Sequence, residues 1–259
     1  MAVMTRVARI RISATTWVVL AVIAVAWCIC AWMEASGVAG HLHHHALYHS
    51  GMPLWQAGLL LAGAWQVMTA AMMLPSSLPL MVLFGRAGAA APNRASAFAL
   101  FILGYFVVWT SFAASAFAFD MGVHWLAHTW RWLNQNDEVI PATTLALAAV
   151  YQVTPLKNAC LRSCRNPATY IMHHYRRGRL SGLRLGVGHG LFCLGCCWAL
   201  MLVMFAVGVA HLAWMGVLAV VMVAEKTMPA GDALTRPLAV SLLGLAAIAI
   251  LAPGSIPGI

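Results

Sequence analysis

Long apolar runs spread over the whole chain constrain this sequence more than any other feature. Hydrophobic residues make up 63% of the 259 residues and charged residues only 8%, whereas about 25% of the residues in an ordinary soluble domain are charged. A helix needs about 20 apolar residues to cross a bilayer, and a chain in lipid must satisfy its backbone hydrogen bonds internally. The composition therefore excludes a soluble globular enzyme, a disordered chain and a secreted disulfide scaffold. It predicts an all-α membrane protein whose first partner is the lipid bilayer.

The apolar runs predict a polytopic bundle of about seven transmembrane helices. We expect these helices to form one membrane-embedded domain over residues 1–259. The candidate spans are 16–33, 54–84, 95–120, 141–156, 186–207, 209–227 and 237–252. The second run is too long for one straight span and contains two prolines. The seventh run is the shortest of the set.

Basic residues are distributed unevenly between the two ends of these predicted spans. If the N-terminus is cytoplasmic, 14 of the 15 lysines and arginines fall in cytoplasmic segments, and Arg131 alone lies outside. The positive-inside rule therefore predicts a cytoplasmic N-terminus. Residues 158–185 are too basic to span, and we expect them to form an interfacial segment on the cytoplasmic surface. The net charge of +9 is explained by topology and anionic headgroups, so no nucleic-acid partner is expected.

A cysteine-rich segment in the fifth predicted helix is the most specific motif. Residues 188–201 read GHGLFCLGCCWALM, in which His189, Cys193 and Cys197 recur every four residues and so share one helix face. Cys196 flanks that stripe. A buried cysteine can pack as a small hydrophobic residue, but three cysteines in five residues headed by a histidine favour a metal or thiol-redox site.

A second pair of thiols, Cys160 and Cys164, follows the fourth predicted span. Their spacing places both thiols on one face if the segment is helical. A reducing cytoplasm favours free thiols or a metal site over a disulfide, and Lys157, Arg162 and Arg165 would supply the cations that activate thiolates. One helix cannot complete a tetrahedral site at the spacing of the first motif, so this pair is the expected second contribution. The alternative is a basic interfacial helix with incidental cysteines.

Imidazole and carboxylate groups gather on the predicted outer side, where they could bind a transition metal. One set lies in a short loop and consists of His41, His43, His44, His45 and His49. A second set, Asp120, His124 and His128, recurs every four residues at the end of the third predicted helix. The alternatives are a solvated loop for the first set and an aromatic interface belt for the second, since Trp125, Trp130 and Trp132 lie nearby.

Methionines on the second predicted helix form a candidate relay between the two sides. Met68 and Met72 share one face, and thioether ligands select Cu(I). The alternative is ordinary packing of methionine in an apolar helix.

Several of these motifs together resemble a family of bacterial integral membrane proteins known as predicted metal-binding proteins of unknown function. The matching segments are AMMLPSSLP at 71–79, GYFVVW at 104–109, YQVTPLKNACLRSCRNP at 151–167, GHGLFCLGCCWALM at 188–201 and EK at 225–226. The resemblance covers about residues 60–250. It implies a metal site at the cysteine motifs and a bacterial inner-membrane location, and it assigns no activity. The chain departs from the family at Ala210 and His211, where members often read Met-Asn, and in its histidine-rich loop.

Three functions are compatible with this pattern. The leading hypothesis is an inner-membrane protein that binds or transports a soft transition metal, with copper as the favoured ion and zinc or iron as alternatives. The outer imidazoles would capture the ion, the methionines would pass it inward and the cysteines would receive it. The second hypothesis is a membrane oxidoreductase, such as a copper-dependent monooxygenase, or a subunit of one, with Asp120, His124 and His128 holding a catalytic metal. The third is a structural or assembly subunit that binds other membrane subunits. A role without enzymatic activity is favoured.

Overall fold

The computed structural model describes residues 14–38, 52–87, 93–176, 178–207 and 211–256, and every regular element in these ranges is helical. The α-helices are α1 (Ala14–Ala35), α2 (Leu54–Ala87), α3 (Arg94–Thr129), α4 (Arg131–Gln135), α5 (Val139–Gln152), α6 (Pro155–Arg165), α7 (Pro167–His174), α8 (Ser181–Val207), α9 (Leu212–Thr227) and α10 (Thr235–Leu251). A short 3-10 helix, Gly231–Leu234, precedes α10.

Five helical segments of the described chain are long and apolar enough to cross a membrane. They are Ala14–Ala35, Trp55–Ala87, Arg94–Ala127, Ser181–Met204 and Gly231–Leu251. A sixth crossing results if the bent pair α5 and α6 forms one span. Large apolar side chains such as Trp17 and Leu251 stay exposed along these helices, as expected of surfaces that face lipid. The prediction of an all-α, multi-pass protein is confirmed, whereas the count of seven spans is not.

The fourth predicted span, 141–156, coincides with a sharp bend. The axes of α5 and α6 differ in direction by 66°. The Thr154 side chain accepts a hydrogen bond from the Lys157 backbone N–H, and Pro155 occupies the first turn of α6. Both features start a new helix. The predicted interfacial segment 158–185 is consequently divided among α6, α7 and the beginning of α8, and α6 buries Leu161 and Cys164 in the core.

The sixth predicted span, 209–227, corresponds to the 16-residue helix α9. A helix of that length rises about 24 Å, which is less than the hydrocarbon thickness of about 30 Å. At the start of α9, the Leu212 backbone N–H donates a hydrogen bond of 2.8 Å to a carboxylate oxygen of Glu34 on α1. At its other end α9 buries Glu225 and Lys226. Helix α9 is therefore too short to count as a span, and it carries buried charges. Its exclusion explains part of the difference between the seven predicted spans and the five or six found in the described residues.

The closest helix packing joins α3 to α8. A Cβ atom on Gly182 would lie 2.0 Å from the carbonyl oxygen of Ala97, and one on Gly186 would lie 2.1 Å from that of Phe101. Gly182, Gly186 and Gly190 recur every four residues, so one face of α8 lies directly against the α3 backbone. This contact determines how the cysteine-rich part of α8 is placed in the core.

Candidate functional site

Five sulfur atoms from three helices gather in the protein interior. We define the sulfur cluster as Met73 on α2, Cys164 on α6, and Cys193, Cys196 and Cys197 on α8. The Cys196 Sγ lies 3.9 Å from the Cys164 Sγ, and the Cys197 Sγ lies 3.6 Å from the Met73 Sδ. All five side chains are buried, and all seven cysteines of the chain are free thiols. The interior therefore presents two close sulfur pairs, each shared between α8 and another helix.

Cys160 differs from the other thiol of α6. It is only partly buried, and its Sγ packs against the backbone at Gly195, where an added Cβ would lie 2.6 Å away. Cys160 and Cys164 share a helix face, as their spacing predicts, but Cys164 is the one that meets a thiol of α8.

A buried lysine contacts the sulfur cluster. The Lys226 Nζ on α9 lies 3.1 Å from the Cys193 Sγ and 3.0 Å from the Ser76 Oγ on α2. Because an ammonium group can only donate hydrogen bonds, the sulfur accepts from it. The Tyr105 hydroxyl lies 3.2 Å from the same sulfur. Two polar groups from two further helices thus converge on Cys193.

The other two thiols of α8 are oriented by their own helix. The Cys196 and Cys197 Sγ atoms donate to the Cys193 carbonyl oxygen over 3.1 and 2.7 Å. These local bonds hold both sulfurs against the preceding turn, from which they reach Cys164 and Met73.

His189 ends a chain of polar contacts that begins at Cys193. The Ser77 hydroxyl donates to the Tyr105 hydroxyl over 3.3 Å, and the His189 Nε2 lies 3.1 Å from the Ser77 Oγ. The imidazole is 2% exposed and stacks on the rings of Phe101 and Tyr105. Its Nδ1 has no hydrogen-bond partner among the described residues. His189 is therefore connected to Cys193 through the hydroxyl groups of Ser77 and Tyr105.

Tyr170 on α7 covers this region. Its hydroxyl donates to the Leu185 carbonyl oxygen over 3.1 Å, and its ring contacts those of His174 and His189. Burial, and to a smaller extent the neighbouring Cys164, raises the pKa of the Tyr170 phenol above its usual value. The phenol is therefore a protonated donor at neutral pH.

Two of the three cations predicted to activate the thiols, Lys157 and Arg165, pair with carboxylates instead. The Lys157 Nζ donates to both carboxylate oxygens of Glu225 at 2.8 Å and also to Gln152. Arg165 pairs with Asp232 at 2.7 Å. Among the described residues, the cation that contacts a cluster thiol is Lys226, which the sequence analysis did not assign to a site. The EK pair at 225–226 is the signal that could have identified it.

The residues predicted to form the outer metal site and the methionine relay are not part of the sulfur cluster. His41, His43, His44, His45 and His49 are outside the described residues. Asp120, His124 and His128 follow one another on the continuous helix α3, and their grouping stays a prediction. Met68 and Met72 are fully buried on α2, but the methionine in contact with a cluster thiol is Met73.

The chemistry of the sulfur cluster suits a soft ion of low coordination number. In the part of the chain that the structure describes, no group of three or more His, Cys, Asp or Glu side chains is arranged to hold a metal ion. The sulfurs come in pairs instead. With metal–thiolate bonds of about 2.3 Å, two sulfurs on one ion lie at most about 4.6 Å apart, and both observed pairs satisfy this limit. Thiolate and thioether ligands suit soft metals such as Cu(I) and zinc, and a pair of sulfurs favours Cu(I) because it accepts fewer ligands than zinc.

Comparison with known proteins identifies one family. A family model described as "PpoB2: Copper chaperone" matches residues 60–249. No curated protein and no solved structure matches the chain. The matched range nearly coincides with the resemblance drawn from the motifs, whose metal-related character is confirmed. It includes every residue of the sulfur cluster together with Lys226, and it leaves out α1 and the histidine-rich loop.

Proposed function

Because the chain belongs to the PpoB2 family of copper chaperones, we propose that it is a membrane-spanning chaperone that binds Cu(I) at the sulfur cluster and passes it to an acceptor. The main observation in support is that three helices far apart in the sequence bring Met73, Cys164 and the three α8 cysteines together in the interior. Five to six helices suited to span a membrane, counted within the described ranges, support the membrane location.

The donor set supports copper over the other metals considered. Structural zinc sites in proteins are closed by four ligands in a tetrahedron and catalytic ones use three protein ligands, and neither group is formed among the described residues. Cu(I) accepts two or three soft ligands, and each close sulfur pair offers two. The pairs share helix α8, so an ion could move from Met73 and Cys197 to Cys196 and Cys164 by exchanging one ligand at a time. Such exchange is what delivery of a bound ion requires.

A route to the cluster runs along α2 in this proposal. Met68 and Met72 lie one helical turn apart, about 6 Å along the axis, and Met73 follows directly. Both residues are fully buried, and they would carry Cu(I) from an outer capture site formed by the histidines to the sulfur cluster. The N-terminus would be cytoplasmic, in the inner membrane of a bacterium, as the distribution of basic residues indicates.

Metal quantification on the purified full-length protein tests the proposal. We expect Cu(I), delivered anaerobically from a chromophoric chelator, to bind in the wild type with sulfur ligation seen by X-ray absorption. The triple variant C193S/C196S/C197S should weaken binding by about tenfold or more. Cys28→Ser is the matched control, because Cys28 is an exposed thiol on α1. Copper binding that survives the triple change unaltered would refute the sulfur cluster as the site.

A further inference from the structure

In the part of the chain that the structure describes, the buried ammonium of Lys226 forms no ion pair with a carboxylate. Its side chain is 5% exposed, and its Nζ contacts a hydroxyl and a thiol sulfur. The carboxylate next to it in sequence, Glu225, pairs with Lys157. A buried charge is strongly disfavoured unless an opposite charge compensates it. The compensating charge must therefore come from the sulfur cluster.

We propose that Lys226 is a specificity-determining residue, whose positive charge makes the sulfur cluster prefer one monovalent soft cation over divalent zinc. The inference rests on the proposed function and names the class of ion that the site accepts. Cysteines bind metals as thiolates. Cu(I) held by the Cys164 and Cys196 thiolates, with the other cluster thiols protonated, carries one negative charge, which Lys226 neutralises. Zn²⁺ with the same two thiolates is neutral, so Lys226 would leave one positive charge uncompensated in a medium of low dielectric constant.

The pairing of the sulfurs strengthens this selection. A third thiolate would give a zinc complex one negative charge, which would compensate Lys226, but no group of three such ligands is in place among the described residues. The Cys196 Sγ approaches Cys164 and the Cys197 Sγ approaches Met73, so a metal at either pair meets at most two thiolates. Each thiol that binds the ion releases its proton.

The position of Lys226 is held from two sides. Ser76, which accepts from the Lys226 Nζ, donates its own hydroxyl to the Met73 carbonyl oxygen over 2.9 Å. On α9, Glu225 is anchored to Lys157 at 2.8 Å, which keeps the adjacent turn in the core. The ammonium therefore cannot reach water without breaking these contacts, and its charge stays beside the sulfur cluster.

Competition between ions tests the inference on the full-length protein in lipid nanodiscs. We expect Lys226→Met, which keeps the length of the side chain and removes its charge, to lower the preference for Cu(I) over Zn²⁺ by about tenfold or more, as changes around metal ligands commonly do. Lys226→Arg keeps the charge and should retain the preference. Arg236→Met is the matched control, because it removes one positive charge from an exposed side chain of α10 and should retain the preference.

The outcomes separate this inference from the proposed function. If Cu(I) binds through the cysteines but K226M shows the wild-type preference, the role of Lys226 is overturned and the copper site stands. If Cu(I) binding does not depend on the cysteines, the proposed function itself fails. Should K226M not be monodisperse, Lys226→Gln replaces it with the same expectation. A further test uses the wild type alone and compares a monovalent soft ion, Ag⁺, with a divalent soft ion, Cd²⁺. Binding of Cd²⁺ as tight as that of Ag⁺ would also overturn the inference.

Discussion

The thiols of Cys164 and Cys196 lie 3.9 Å apart although 32 residues separate them in the chain. They belong to α6 and α8, and α6 reaches this position because the chain bends by 66° after α5. Cys160, one turn earlier on α6, faces the Gly195 backbone instead. The two cysteines of α6 therefore lie in different environments, which their shared spacing does not reveal.

Coupling between these two thiols is the first prediction. Cys164→Ser and Cys196→Ser should each weaken Cu(I) binding, and the double variant should cost little more than either single change, because ligands of one ion act as a unit. Cys160→Ser, on the same helix, is the control and should bind close to wild type. Chelator competition measures the affinities. Strictly additive losses in the double variant would show that the two sulfurs do not share an ion.

Met73 should contribute a thioether ligand. Met73→Leu conserves the volume of the side chain, so the free energy of unfolding should change by less than about 1.5 kcal/mol, whereas Cu(I) affinity should fall because the sulfur next to Cys197 is lost. Met81→Leu is the matched control, since Met81 is equally buried on α2. X-ray absorption on the loaded variants reports the number of sulfur ligands. An unchanged number in M73L would remove Met73 from the site.

The contact between α3 and α8 should tolerate no side chain at its centre. Gly186→Ala places a Cβ 2.1 Å from the Phe101 carbonyl oxygen, so the helices must separate, and overpacking of this kind costs about 1–3 kcal/mol. Gly216→Ala on α9 meets no atom within 4 Å and should be neutral or stabilising, because alanine favours helices. Thermal unfolding in detergent compares the two variants, and equal melting temperatures would argue against the close approach.

The buried ion pair between Lys157 and Glu225 should be costly to break on one side. Glu225→Gln leaves Lys157 buried without its counter-charge, which typically costs about 3–5 kcal/mol. Adding Lys157→Met should recover part of that loss, since it removes the stranded charge. Asp232→Asn is the control, because the Asp232 side chain is 69% exposed and an ion pair with an exposed carboxylate contributes little. A double variant that is less stable than E225Q would contradict this account in unfolding experiments.

The sequence predicted the helical, membrane-spanning character of the chain because that property depends on composition and run length alone. It did not predict the number of spans, since a bend after residue 152 and the short helix α9 both change the count. Sequence neighbours also proved a poor guide to charge partners. Lys157 and Arg165 lie beside the α6 thiols in the chain, yet they pair with carboxylates that follow 67 or 68 residues later.

By itself, the sequence determined which side chains share a helix face, as for Cys193 and Cys197, because the helical repeat places every fourth residue on the same side. Only the tertiary structure decided which faces meet. The glycine face of α8 against α3 places its cysteines in the core, the bend before α6 delivers Cys164 to them, and α9 inserts Lys226 beside Cys193 from 33 residues away. The physical reason is that spacing within a helix is a local property of the backbone, whereas contacts between helices depend on close packing and on compensation of buried charge.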